Sequence, residues 1–346
     1  MKYKPRHLKM VVKMSSAQNT LTTDRTLKML RTAMGSVITN ALDDPAVIEI
    51  MVNPDGRLWL DKLGKGRFDT NSSLKPDEAE RVVRLVASHI HQDVTAFSPI
   101  VSAELPGNGE RFEGVIPPVV TAPCFSIRKG AVSVFSLDDY VDAQTMSATQ
   151  AEALRYAVSS RQNILIVGGT SSGKTTLANA LLAEVSGTGD RVLILEDTRE
   201  LQCKAEDTVA LRTHGQNVKL SDLVRSTLRL RPDRIIVGEV RGPEALDMLK
   251  AWNTGHPGGI ATVHANSAKA GLSRIEQLIL EGARTVPRAL IAEAIDVIVF
   301  ISGRGSKRRI ETIARLVEVS GQSYTLEPLK ARLSFPNSLT QEKTHA

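Results

Sequence analysis

Residues 164–176 read Ile-Leu-Ile-Val-Gly-Gly-Thr-Ser-Ser-Gly-Lys-Thr-Thr, and the reading of this stretch decides the fold. Four apolar residues make a short strand. Gly168, four intervening residues, then Gly173, Lys174 and Thr175 complete the phosphate-binding loop pattern, and a helix-forming run, Thr175–Val185, follows. Glycines allow backbone N–H groups to converge on phosphate oxygens, and the helix N-terminus adds a favourable dipole. Lys174 reaches the β- and γ-phosphates in such a loop, and the Thr175 hydroxyl ligates Mg²⁺. Gly168, Gly169, Thr170, Ser171, Ser172, Gly173, Lys174, Thr175 and Thr176 are therefore the expected cradle for ATP with Mg²⁺. A Gly/Ser-rich turn could match by chance, but it would not come with a strand before it and a helix after it.

Working outward, strands alternate with helices: Ile164–Val167, helix 174–185, Val192–Leu195, helix 221–229, Ile235–Val237, helix 243–252 and Ile260–His264. That order predicts an α/β domain, a mostly parallel sheet with helices on both faces. A capping-box pattern, Ser147-Ala148-Thr149-Gln150, opens its first helix. Val297–Ile301, Arg309–Val319 and Ser323–Leu326 read as a small antiparallel appendage. Upstream, residues 24–34 have helical apolar spacing, and Val47–Val52, Asn53-Pro54-Asp55-Gly56 and Arg57–Leu60 read as strand, turn, strand. Ala79, Val82, Val83, Val86 and Ile90 line one face of a helix opening near Pro76, and Phe112–Ile116 and Phe125–Arg128 are two more strands. The expected organisation is a flexible basic N-terminus (1–23), a smaller α+β domain (24–129), a linker (130–146), the α/β domain (147–330) and a flexible tail (331–346).

Composition is ordinary for a globular chain of 346 residues, 42% hydrophobic and 24% charged. No run approaches the roughly 18 apolar residues that span a bilayer, and Val11-Val12 is too short a core for a signal peptide. The expected location is cytoplasmic, compatible with peripheral docking on a membrane. Cys124 and Cys203 form no C-x-x-C pair, which fits a reducing compartment and argues against a cysteine-held metal. Lys2, Lys4, Arg6, Lys9 and Lys13 account for five of the six net positive charges, with no acid among them. Such a head usually means a solvated tail, or else a segment that touches anionic lipid or nucleic acid; Met14 is an alternative natural start. The remaining body is nearly neutral, so charge does not support direct nucleic-acid binding.

A triphosphatase also needs an acid beyond the loop. Glu239 ends the apolar strand Arg234–Glu239, and sites in parallel sheets gather at the carboxyl ends of strands. Its work would be to orient or deprotonate the attacking water. The bland alternative is a surface ion pair with Arg241. Gly238 stands where other phosphate-loop enzymes often have Asp, which leaves a second metal-contacting acid to find. Glu196 and Asp197, at the end of strand 192–195, are the suppliers expected to act through a bridging water, and Glu200 is the weaker choice. His264 ends strand 260–264 and would place an imidazole beside the γ-phosphate. A zinc role for it fits poorly, because the histidine spacing is wrong and no cysteine is near.

Four blocks, GGTSSGKTT (168–176), LILEDTREL (193–201), LRLRPDRIIVGEVRGPEA (228–245) and GHPGGIATVHANSA (255–268), resemble the type II/type IV secretion traffic ATPases, most closely their conjugal-transfer branch. The second is similar to that family's acidic box and the fourth to its histidine box, and Gly-Glu is the form the family has. The N-terminal half resembles it more loosely, through Asn108–Pro118 and Phe125–Lys129. The resemblance implies a RecA-like ATPase domain, a homohexameric ring and ATP hydrolysis with Mg²⁺. It further implies service to a type IV secretion apparatus at the cytoplasmic face of the inner membrane, with inner-membrane components as partners, in pilus assembly and plasmid transfer. It also implies that arginines of the N-terminal domain approach the γ-phosphate, and Arg111 and Arg128 occupy the matching places. Some relatives carry a four-cysteine zinc loop in the ATPase domain, for which this chain has only Cys203. A pilus-retraction motor, a DNA-translocating motor and a nucleotide-gated scaffold are the rival readings. Aromatic content of 4% makes stacking platforms for single strands scarce, and a pure switch needs neither Glu239 nor His264.

Overall fold

The computed structural model describes residues 6–130, 134–214, 217–321 and 323–329, and of residues 6–24 and Ser306 the backbone alone. The flexible head and tail expected at 1–23 and 331–346 thus lie outside the fully described residues. The chain forms two units, Met1–Ser133 with Thr198–Glu200, and Val134–Asp197 with Leu201–Ala346.

The first unit opens with helix α1 (Arg6–Asp43), interrupted at Gly35, where φ is 74°. Strands β1 (Val47–Val52), β2 (Arg57–Lys62) and β3 (Gly66–Ser73) lead to α2 (Pro76–His89), followed by β4 (Ile100–Glu104), β5 (Arg111–Val115) and β6 (Cys124–Arg128). The six strands form an antiparallel sheet in the order β3-β2-β1-β6-β5-β4. Proline at the start of α2 needs no N–H partner there, and Asp77 and Glu78 favour the positive end of the helix. Its apolar face, Val82, Val83 and Val86, joins Leu30 and Ile38 of α1 over Ile50, Phe112 and Ile127 of the sheet. β3 and β4 go beyond the strands expected from sequence. They are the two edges of the sheet, and Gly-Arg-Phe-Asp-Thr-Asn-Ser-Ser in β3 lacks an apolar alternation to announce it.

The second unit begins within the expected linker: α3 (Leu137–Asp142) is capped by Ser136, and its Leu137 and Tyr140 are buried in this unit's core. Then come α4 (Ala148–Ser159), β7 (Ile164–Gly168), α5 (Lys174–Val185), β8 (Val192–Glu196), β9 (Thr208–Arg212), α6 (Leu220–Thr227), β10 (Arg234–Val237), α7 (Glu244–Asn253), β11 (Ile260–His264), α8 (Ala268–Leu280), α9 (Arg288–Ala294), β12 (Val297–Ser302), β13 (Arg309–Ser320) and β14 (Ser323–Pro328). The capping box at α4 forms as expected: Gln150 N–H donates to Ser147 Oγ, and Ser147 N–H donates to Gln150 Oε1.

These strands build one sheet in the order β14-β13-β12-β7-β11-β10-β8-β9, parallel from β12 to β9. Every residue of β7, β8 and β10 is buried, as strands covered on both faces require. Successive side chains feed opposite layers. Leu165, Val167, Ile235 and Val237 pack with α6–α9, whereas Ile164, Ile166, Ile194 and Ile236 pack with α3–α5. The carboxyl-terminal strands are part of this sheet, not an appendage beside it, because β12 runs parallel to β7 with Ile301 opposite Gly168. No helix among the described residues is long and apolar enough to cross a membrane.

Candidate active site

The strand order puts four chemical features side by side at one edge of the second unit's sheet. The loop after β7 comes first, His264 ends β11 directly opposite Gly168, Gly238-Glu239 follow β10, and Glu196 ends β8. Neighbouring strands lie about 4.8 Å apart, so these carboxyl ends form one continuous rim.

In the loop, Gly173 has φ 98° at the N-cap of α5, a conformation that suits glycine. A side chain at Gly168 would meet Ser172 Oγ at 2.5 Å and the Ile301 carbonyl at 2.6 Å. α5 has neither a side-chain cap nor an acid in its first turn, which leaves the positive end of its dipole to the loop. Lys174 is 9% exposed and its Nζ donates to the Gly169 carbonyl at 3.1 Å. Ser172 Oγ is buried with no hydrogen-bond partner among the described residues. The arrangement fits an anion: a helix N-terminus, a buried ammonium and a buried hydroxyl meet at a loop that has no room for a β-carbon at Gly168 or Gly173. Thr175 lies in the first turn of α5. Among the described residues no three His, Cys, Asp or Glu gather as a metal cage. Mg²⁺ needs none, since it takes most of its oxygens from water and substrate phosphates.

Glu196 is 4% exposed, and its Oε1 accepts from Leu201 N–H at 2.8 Å. Its side chain explains the Gly-Glu sequence on the next strand. A β-carbon on Gly238 would lie 3.0 Å from Glu196 Cγ and 3.4 Å from its Oε1. The space that an Asp side chain at position 238 would enter is held by a carboxylate from the neighbouring strand. Glu239 is paired with Arg241, whose Nε donates to its Oε2 at 2.8 Å and whose Nη2 touches the same oxygen. Arg241 Nη1 also lies 3.9 Å from Asp197, and Thr213 Oγ1 donates to that carboxylate at 3.1 Å. The ion pair that sequence offers as the bland reading of Glu239 therefore exists, at the rim and two strands from the loop. Glu200 groups with the first unit.

Two glycines of the histidine block, Gly258 and Gly259, are packing residues. Gly258, with φ 86°, approaches the guanidinium of Arg234, and a β-carbon on Gly259 would collide with the indole of Trp252. Arg234 is 1% exposed; its Nε donates to Asp190 at 2.6 Å and its other nitrogens donate to the Gly258 and Val158 carbonyls. Burial alone would raise the Asp190 carboxyl, yet hydrogen bonds from Arg234, Thr188 and Arg161 outweigh it and hold the group below the usual carboxylate range. This buried pair ties β10 to the turn before β11.

Arg111 and Arg128 lie in the first unit, directly opposite one another on β5 and β6. Glu104 faces Arg111 from β4, and Glu49 faces Arg128 from β1. Like charges in register are unfavourable, and neither guanidinium reaches ion-pair distance of a carboxylate among the described residues. Two features near the rim carry no role in the sequence alone: there Arg241 is only a salt-bridge partner for Glu239, and the basic turn between β12 and β13, Gly303–Arg309, falls within the expected appendage. The cluster Arg304, Lys307, Arg308 and Arg309 was the available signal.

Residues 32–304 match the family described as type II/IV secretion system protein. The chain is 47% identical over 305 residues to the conjugal transfer protein TrbB of Rhizobium radiobacter, covering 88% of this chain and 94% of the relative. It is 31% identical over 358 residues to the type IV secretion system protein VirB11 of Bartonella henselae, covering 90% and 97%. The Legionella pneumophila ATPase DotB shares the fold, with a TM-score of 0.56, 20% identity, and coverage of 81% of this chain and 79% of that one.

Proposed function

This chain belongs to the type II/IV secretion system protein family, and from that premise we propose that it is an ATP-hydrolysing motor of a type IV secretion apparatus serving conjugal transfer. The observation that carries the reading is the shared rim: phosphate loop, His264, Glu239 and Glu196 stand on four adjacent strand ends of one sheet. Similarity to TrbB over most of both chains supports the conjugal-transfer setting.

In this reading Gly168–Thr176 bind the triphosphate, with backbone N–H groups and Lys174 drawing charge from the phosphates. Mg²⁺, held by Thr175 and by Glu196 or Asp197 through water, would neutralise charge developing on the phosphoryl group. Glu239 orients the attacking water and accepts its proton, and Arg241 sets the direction of that carboxylate. His264, one strand from the loop, responds to the loss of the γ-phosphate. Arg111 and Arg128 supply positive charge to the transferring phosphoryl group, and an anion there would relieve their mutual repulsion. Assembly as a homohexamer at the cytoplasmic face of the inner membrane, with membrane components of the apparatus, belongs to the same proposal.

The test is steady-state ATP hydrolysis with Mg²⁺, together with mass in solution with and without nucleotide. The expected result is a hexamer whose hydrolysis falls at least about a hundredfold on Glu239→Gln. Unchanged hydrolysis in that variant would remove Glu239 from the mechanism, and a monomer under all conditions would remove the ring.

A further inference from the structure

The acids and His264 lie on one side of β7; on its other side β12 ends beside the same loop and turns back as β13. The turn, Gly303-Arg304-Gly305-Ser306-Lys307-Arg308-Arg309, carries four cations in seven residues. It is a built structure. Lys307 N–H donates to the Arg304 carbonyl at 3.1 Å and Arg308 N–H to that of Gly305 at 3.2 Å. Two residues on, Ile310 N–H donates to the Thr145 carbonyl at 2.8 Å, and Gln150 Nε2 donates to the Ile310 carbonyl at 3.3 Å.

From this tethered backbone the Arg308 side chain lies on the phosphate loop itself. Its Nε, Cζ and Cδ stand 2.8, 2.9 and 3.2 Å from where a β-carbon on Gly173 would be. Arg308 Nε is buried and has no hydrogen-bond partner among the described residues, and the same holds for two neighbours, Ser172 Oγ in the loop and the Tyr140 hydroxyl. Tyr140 is 5% exposed. Burial pushes its phenol up to about 12, against the pull of the Arg308 charge. No carboxylate pairs with Arg308 among the described residues. A guanidinium with an unsatisfied buried N–H, set against the positive end of a helix, is an unfavourable arrangement unless an anion shares the place.

We propose that Arg308 is a phosphate-binding residue of the nucleotide site, acting from the same chain and on the phosphates that ADP retains. The inference rests on the nucleotide reading of the loop. It departs from that reading in assigning a ligand residue outside the loop, on the side away from Glu239 and Glu196. Backbone N–H groups around Gly173 face the α- and β-phosphates in loops of this kind, so Arg308 binds ADP and ATP alike and does not sense the γ-phosphate. A planar fork of donors suits two phosphate oxygens at once.

The experiment titrates Mg-ADP and Mg-ATP (under non-hydrolysing conditions) into the full chain by calorimetry, for wild type, Arg308→Gln and Arg308→Lys. Loss of a charge-assisted contact is expected to weaken both nucleotides by about tenfold to a hundredfold in the Gln variant. The Lys variant should recover part of that loss, and the melting temperature without nucleotide should be unchanged or higher. Wild-type affinity in Arg308→Gln overturns the proposal. A lowered nucleotide-free melting temperature with ADP affinity intact also overturns it, leaving Arg308 as packing for Gly173 and Tyr140. A wild-type chain that fails to bind ADP refutes the nucleotide reading itself, which separates the two failures.

Discussion

Replacing Gly238 by Asp would create the Asp-Glu pair common among phosphate-loop enzymes, and in this protein it should be harmful. The β-carbon alone arrives 3.0 Å from Glu196 Cγ, a separation that forces one side to yield. Neither side moves easily. Glu196 is held by Leu201 N–H, Gly238 N–H donates to the Leu195 carbonyl, and the Gly238 carbonyl accepts from Thr262 Oγ1 at 2.7 Å. The new carboxylate would sit about 4 Å from that of Glu196, a repulsion of about 4 kcal/mol at an effective dielectric of 20. The system relieves it by taking up a proton, with an apparent upward shift of about three pK units for the pair. A raised folded-state value gives stability that is present below the unfolded carboxylate range and is lost as pH rises through the raised value. The deficit against wild type should therefore be smaller near pH 5, where the clash remains but most of the repulsion is relieved, and largest near pH 8, where the repulsion adds a fall in melting temperature of roughly 8–16 °C. Thermal melts at pH 5 and pH 8 measure it. The double variant Glu196→Ala with Gly238→Asp, free of both the clash and the repulsion, should melt close to wild type and regain part of the Mg²⁺-dependent hydrolysis. A single variant within about 2 °C of wild type at pH 8, or a double variant no better than the single, would refute the reasoning.

Arg234→Met strands two carbonyls in the core and leaves Asp190 with only Arg161 and Thr188, and should cost about 3 kcal/mol. Asp190 is held below its usual range, so the stability it contributes is present above the unfolded carboxylate value and fades as pH falls through the folded one. The gap between the melts of the variant and wild type should narrow as pH falls below the ordinary carboxylate range, without closing, because the two carbonyls do not titrate. Gly259→Ala, driven into Trp252, should cost about 1–3 kcal/mol or more, whereas Gly187→Ala, which meets nothing within 4 Å, should stay within about 0.5 kcal/mol; equal denaturation midpoints would contradict the packing account. Arg128→Gln removes half of the like-charged pair on β5 and β6. It should raise nucleotide-free stability by a few tenths of a kcal/mol and lower hydrolysis about a hundredfold, and unimpaired hydrolysis would exclude Arg128 from the reaction.

Much of the second unit was legible because its signals are local. Ile164–Val167 followed by the glycine loop, the Ser147 capping box and the all-apolar strands each declare themselves within a few residues, and the structure bears them out. β9 and β3 were not legible. Thr-Val-Ala-Leu-Arg and Gly-Arg-Phe-Asp-Thr-Asn-Ser-Ser sit at sheet edges, where a neighbour's hydrogen bonds and not an apolar pattern make the strand. α8 carries a readable period in Leu272, Ile275 and Ile279 that the strand-and-motif reading passed over.

What the sequence determined by itself is the chemistry on offer: a phosphate loop between strand and helix, two strand-end acids, a strand-end histidine and two arginines upstream. Which of these groups meet was decided only by tertiary structure. The sheet order β12-β7-β11-β10-β8 does not follow the chain, yet it alone brings Arg308, Gly173, His264, Glu239 and Glu196 to one rim. Gly238 looks like a missing Asp when read along its own strand. Across the sheet it is the room that Glu196 occupies, because side chains on paired strands share space that residues adjacent in sequence, pointing to opposite faces, do not.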